Sequence, residues 1–335
     1  MPKKICNGVT LNALTTKKFK TSMFMVTYVL PLTRENAAGC SLLSGVLKRG
    51  SKSFPTLRDI SIRREELYSA SLSYLTQKSG EALYFSAYTS FLDNAYVPDG
   101  SDLFASSLEL LSDVLYSPLV ERDEFNSNYV NSEKENLINL ISEKLNNKAS
   151  YSVDRCLSLM CENEPFSIPA SGYIDDVKAY DGKKLYELYK HIIADTPTII
   201  SYAGSQDEAT VLNYVNKKLP PFAPRDSAVP VTDTADPGTP PATVIEELPA
   251  AQGKLTIGMR IGIDSAGVDY PAFALFNEVY GGAPSSKLFT VIREKMSLCY
   301  YCSTGGDRYK NVLFVTSGIE NENFEKARDG ILAQL

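Results

Sequence analysis

The chain has 335 residues, 44% hydrophobic and 22% charged, which at roughly 100–200 residues per domain predicts two globular domains and excludes a disordered chain, a collagen-like repeat and a coiled coil. Its 34 Lys+Arg against 40 Asp+Glu leave a net charge of −6, and without a dense basic run a phosphate-gripping, nucleic-acid partner is not expected. His191 is the only histidine, which makes most zinc- and triad-based hydrolytic mechanisms hard to build.

The 6 cysteines are too sparse for a disulfide scaffold and suit a reducing compartment. No stretch approaches the roughly 20 apolar residues that span a bilayer. Met1-Pro2-Lys3-Lys4 has no apolar run behind its lysines, so it is not a secretory signal. The expected location is the cytoplasm, with no membrane partner.

Taken in chain order, residues 23–31 are rich in β-branched and aromatic side chains and predict a strand. Leu42, Leu43, Val46 and Leu47 then mark one face of a helix that ends at Gly50. Thr56 and Asp59 open a second helix in capping-box fashion. Paired strands are expected at 71–77 and 82–90, and long helices at about 101–117, 122–147 and 150–162. A helix at 181–194, a strand at 198–203 and a helix at 206–218 close this half. Residues 219–242 gather seven prolines, Pro220, Pro221, Pro224, Pro230, Pro237, Pro240 and Pro241, and read as an extended linker.

After the linker the opening order returns. A strand at 254–263, a helix at 270–280, a helix at 285–295 and strands at 298–303 and 311–318 repeat strand, helix, helix, paired strands. We read this as an internal duplication. The resulting expectation is a first domain over 1–218, a linker over 219–242 and a partial second domain over 243–335. The last residues stay in a helical pattern with no stop signal, so the second domain is expected to be cut short.

With these elements placed, the sequence resembles the insulinase/pitrilysin family of zinc metallopeptidases. The closest local match runs from Ser286-Lys287-Leu288-Phe289 through Val291-Ile292-Arg293-Glu294-Lys295 to Leu298-Cys299-Tyr300. It is similar to the family's second-domain signature Ser-Arg-Leu-Phe, Val-Arg-Glu-Lys, Gly-Leu-Ala-Tyr. The resemblance implies an α+β chain of tandem homologous domains, each a mostly antiparallel sheet packed with helices. It also implies that Arg293 and Tyr300 reach a partner's active site and hold a substrate carbonyl. A guanidinium and a phenol can together stabilise a developing oxyanion; from spacing alone they would pass for a surface charge and a packed strand tyrosine.

The catalytic half of the family pattern is His-x-x-Glu-His on a helix before a Lys-Gly turn, where two histidines hold Zn²⁺ and the glutamate activates water. Aligning Lys48-Arg49-Gly50 with that turn puts Ser41, Ser44 and Gly45 at those positions. The family's later Glu-x6-Glu pattern falls on Glu135 and Ser142, with Glu143 adjacent. No metal and no cofactor are expected. The resemblance then implies the subunit type that lacks zinc and works beside a zinc-bearing homologue, as in the mitochondrial processing peptidase and several bacterial pairs. Residues 36–90 and 133–161 are most similar to a Gram-positive-type subunit of this kind.

Two other classes stay open. One is a non-enzymatic scaffold or peptide-binding module of the same fold. The other is an independent enzyme, for which no nucleophile with a base and an orienting group can be picked out. Cys299 and Cys302 form a C-x-x-C, but on a regular strand positions i and i+3 point to opposite faces, so zinc is not expected there. Cys156 and Cys161 read as small buried hydrophobes on a helix. His191 reads as a surface or packing residue. Gly281-Gly282 reads as a helix stop. The 20 tyrosines suit a peptide-binding surface and core packing equally well.

Overall fold

The computed structural model describes residues 2–335 apart from 145, 226, 235–237, 239 and 264–265. The chain divides into two compact units. The first comprises Met1–Lys78, Ala82–Asn139 and Ala170–Pro230, and the second Ser79–Glu81, Leu140–Pro169 and Val231–Leu335.

In the first unit a 6-stranded sheet runs in the order Lys3–Cys6, Val9–Thr15, Thr198–Gly204, Thr21–Pro31, Ala82–Leu92, Ser71–Ser79. Thr21–Pro31 lies antiparallel to Ala82–Leu92, with Thr21 opposite Leu92, and antiparallel to Thr198–Gly204. Val9–Thr15 runs parallel to Thr198–Gly204. Phe24, Val26, Tyr28 and Phe85 are fully buried on this sheet. Helix Arg34–Val46 starts at Thr33, whose hydroxyl accepts from Asn36 N at 3.1 Å, and it buries Ala37, Ala38, Leu42, Leu43 and Val46. Helix Leu57–Glu66 carries the expected capping box, with Thr56 and Asp59 bonded both ways.

The second unit holds a 3-stranded antiparallel sheet in the order Cys299–Asp307, Val312–Ile319, Gly253–Arg260. Tyr280, Leu288, Ile292, Val315, Ile319, Ala327 and Ile331 form its core. Helix Lys148–Met160 seats directly on strand Gly253–Arg260. A Cβ at Gly258 would meet Met160 Sδ at 2.9 Å and Cys156 Sγ at 3.0 Å, so glycine permits the close approach. Ser152 Oγ and Thr256 Oγ1 share a hydrogen bond of 2.7 Å. Residues 140–169 thus pack with the second unit although they precede the proline-rich segment in sequence. The described part of 219–242 carries neither helix nor strand.

The two sheets repeat one topology. In each, an opening strand pairs with the second strand of a later pair, and the first strand of that pair lies at the edge. Thr21–Pro31, Ala82–Leu92 and Ser71–Ser79 in the first unit correspond to Gly253–Arg260, Val312–Ile319 and Cys299–Asp307 in the second. The duplication read from the order of elements therefore extends to strand order, and the fold is α+β as expected.

Some differences are local. Lys3–Cys6 and Val9–Thr15 form strands that the sequence did not suggest, because their alternation is short and largely polar. The helix expected from residue 122 begins at Ser127. Arg122 and Asp123 adopt left-handed φ values of 53° and 60° in a small hairpin between Val120–Glu121 and Glu124–Phe125, a conformation no helix can include.

Candidate functional site

The residues that fall at the zinc motif in the alignment given above, Ser41, Ser44 and Gly45, lie in the first unit, on helix Arg34–Val46. Ser41 Oγ donates to Ala170 O at 3.0 Å. Ser44 Oγ donates to Cys40 O at 3.0 Å and lies 3.1 Å from Thr76 Oγ1. Both hydroxyls are thus committed to neighbours. At Gly45 an added Cβ would sit 2.5 Å from Glu133 Oε2 and 3.0 Å from its Cδ. The carboxylate that faces this helix is therefore Glu133, whereas Glu135, the residue suggested by alignment, is exposed. Two residues on a helix are about 200° apart at 3.6 per turn, so the one shift decides which carboxylate points inward.

Glu133 is itself paired. Arg49 Nε donates to Glu133 Oε1 at 2.6 Å, and Arg49 Nη2 donates to Ser132 Oγ at 2.8 Å. The guanidinium lies 5.9 Å from the Tyr129 ring centroid. Zinc requires three or four nitrogen, sulfur or carboxylate donors in tetrahedral array. Two engaged hydroxyls, a glycine and a carboxylate neutralised by arginine do not fit that requirement. Among the described residues no three His, Cys, Asp or Glu side chains gather as a metal would need. His191 is exposed, and its Nδ1 lies 3.0 Å from Asp195 Oδ2 one turn on.

Arg293 and Tyr300 lie in the second unit and are brought together. Arg293 stands in the last turn of helix Leu288–Lys295, which has π-type hydrogen bonding. Tyr300 follows on the edge strand Cys299–Asp307 and is 75% exposed. The Arg293 guanidinium lies 4.5 Å from the Phe289 ring centroid and 5.9 Å from that of Tyr300. Its ion pair with Glu294, at 3.6 Å, is loose and partly exposed, so it contributes little to holding the side chain. A cation and a phenol on an open face, backed by an aromatic ring, offer donors to an incoming carbonyl oxygen.

A family model described as the peptidase M16 inactive domain matches residues 181–335. The chain is 35% identical over 320 residues to the probable inactive metalloprotease YmfF of Bacillus subtilis strain 168, a match covering 96% of this chain and 75% of that protein. The chain belongs to the peptidase M16 family, as an inactive homologue. This M16 homologue also superposes on a conserved protein from Enterococcus faecalis V583 with a TM-score of 0.87 at 26% identity, covering 100% of this chain and 78% of that one. A peptidase M16 inactive domain from Pseudomonas fluorescens matches with a TM-score of 0.78 at 17% identity, covering 100% and 77%, and shares the fold. Two hydroxyls and a glycine, the set at Ser41, Ser44 and Gly45, supply no histidine or carboxylate donor to a metal. Glu133 and its lock by Arg49 were not found by sequence reasoning. The signal that could have found them is the Arg49 guanidinium just beyond the helix, which needs a carboxylate at the matching height.

Proposed function

We propose that this chain is the non-catalytic subunit of a heteromeric M16 peptidase, and that it binds extended peptide and supplies Arg293 and Tyr300 to a zinc-bearing partner. The observation that carries the reading is a pairing of opposites: a helix without metal donors where the resemblance puts the zinc motif, and a half-buried Arg293 lying 5.9 Å from the ring of the exposed Tyr300. A carbonyl attacked by zinc-bound water in the partner develops negative charge, which a guanidinium and a phenol stabilise. Peptide would add to a sheet edge through main-chain hydrogen bonds. Ser71–Ser79 is such an edge strand in the first unit, and its Thr76 already touches Ser44. Weak sequence preference follows, because backbone groups carry the recognition. We place the pair in the cytoplasm. Among the described residues no helix is long and apolar enough to cross a membrane.

The test is reconstitution with a His-x-x-Glu-His homologue from the same organism. The mixture should cleave peptides that this chain alone leaves intact. Arg293→Ala and Tyr300→Phe should each lower turnover, by roughly 10²–10³ for a lost oxyanion donor. Unchanged turnover in both variants would refute the role. Peptide binding with no effect on the homologue's turnover would instead favour the scaffold reading.

A further inference from the structure

The C-x-x-C of the second unit does not behave as a regular strand would. Cys299 lies opposite Ile319 and Cys302 opposite Ser317, so three steps on one strand match two on the other. That is a β-bulge with one extra residue, located at Tyr300-Tyr301. Directly opposed residues in an antiparallel pair share a face, and Ile319 and Ser317, two apart, share theirs. Both cysteines therefore point to the same side of the sheet. The packing agrees: Cys302 is a member of the buried core with Ile319, and Cys299 packs against that core. Ser317 Oγ donates to Tyr301 O at 2.9 Å and holds the bulge in place.

The two thiols are also chemically unequal. Both are free, with Cys302 buried and Cys299 half-buried. The hydrogen bond from Cys302, helped by Ser317 and by the Arg293 charge, outweighs burial and draws the Cys299 thiol down to about 7. The hydrogen bond to Cys299, together with burial, pushes Cys302 up. An accessible thiolate beside a protonated thiol is the arrangement in which the first attacks and the second resolves.

We propose that Cys299 and Cys302 are a redox-active pair, oxidised by hydrogen peroxide to an intrachain disulfide that brackets Tyr300. Cys299 thiolate attacks one peroxide oxygen; the S–O bond forms, the O–O bond breaks and hydroxide leaves. Cys302 then attacks the Cys299 sulfur; the S–S bond forms, the S–O bond breaks, and the oxygen leaves as water with the Cys302 proton. The thiols lose two electrons together, and the peroxide is reduced to water. The closed loop spans the bulge, so oxidation fixes the backbone that carries Tyr300.

The full chain is treated with hydrogen peroxide, quenched by alkylation and mapped by mass spectrometry. We expect a Cys299–Cys302 link, with Cys6, Cys40, Cys156 and Cys161 recovered alkylated. Before oxidation, alkylation of Cys299 should reach half its maximal rate near pH 7, and Cys302→Ala should slow it at that pH by roughly tenfold, as the thiolate fraction falls. Recovery of Cys299 and Cys302 as separate alkylated thiols, or of Cys299 as sulfinic acid with Cys302 free, overturns the proposal. Both readouts on the unsubstituted chain stand whether or not a variant folds.

Discussion

Gly45 has no room for a side chain because Glu133 occupies the space one would need, and Arg49 holds Glu133 there. Replacing a helical glycine by alanine usually gains about 0.5–1 kcal/mol. Overpacking usually costs about 1–3 kcal/mol, and here the clashing carboxylate is tied by its ion pair. Overpacking should win: Gly45→Ala is expected to destabilise the chain by roughly 1 kcal/mol in urea denaturation. In a Glu133→Ala background the same change should be neutral or stabilising. Additive effects in that double-mutant cycle would show that the carboxylate does not fill the site.

The hairpin joining Cys299–Asp307 to Val312–Ile319 is anchored by a buried lysine. Asp307 Oδ1 accepts from Tyr309 N at 2.8 Å and Lys310 N at 2.9 Å, while Asp307 Oδ2 accepts from Gly80 N at 3.0 Å. Lys310, fully buried, pairs with Glu81 and Glu164 at 2.5 Å each and also donates to Asp233 O. Arg260 pairs with Glu164 as well. Two cations and two carboxylates balance, so removal of one leaves charge uncompensated. Lys310→Ala should therefore cost about 3–5 kcal/mol, read by chemical denaturation. Burial pushes the Glu164 carboxyl up, but the hydrogen bonds from Arg260 and Lys310 outweigh it and hold it below its ordinary value. A depressed folded-state value adds stability above the ordinary glutamate range, about 4.3, and loses it as pH falls through the folded value. Acid titration of stability should show this loss in the parent chain and show less of it in Glu164→Gln; identical acid profiles would contradict the network.

For the whole molecule, the same strand order in both units means that Ser71–Ser79 and Cys299–Asp307 occupy equivalent edges. One edge adjoins helix Arg34–Val46 through Ser44 and Thr76, and the other carries Tyr300. The proposed division of labour between two chains draws on that arrangement. If activity needs both chains, turnover per zinc-bearing subunit should fall on dilution at fixed stoichiometry. Turnover independent of concentration would mean that the zinc subunit works without this one.

Residues such as Leu42, Leu43, Val46 and Thr56 announced their helices, and the order strand, helix, helix, paired strands announced the duplication, because such signals are local and periodic. That the sequence has no His-x-x-Glu-His was equally plain, since His191 is its only histidine. Tertiary structure alone decided that Glu133, 84 residues from Arg49, fills the space beside Gly45. It also decided that helix Lys148–Met160 joins the second unit and that a bulge turns Cys299 and Cys302 to one face. Ion-pair partners, packing neighbours and strand register are set by what lies across a sheet or core, and a one-residue slip in register reverses every side chain beyond it.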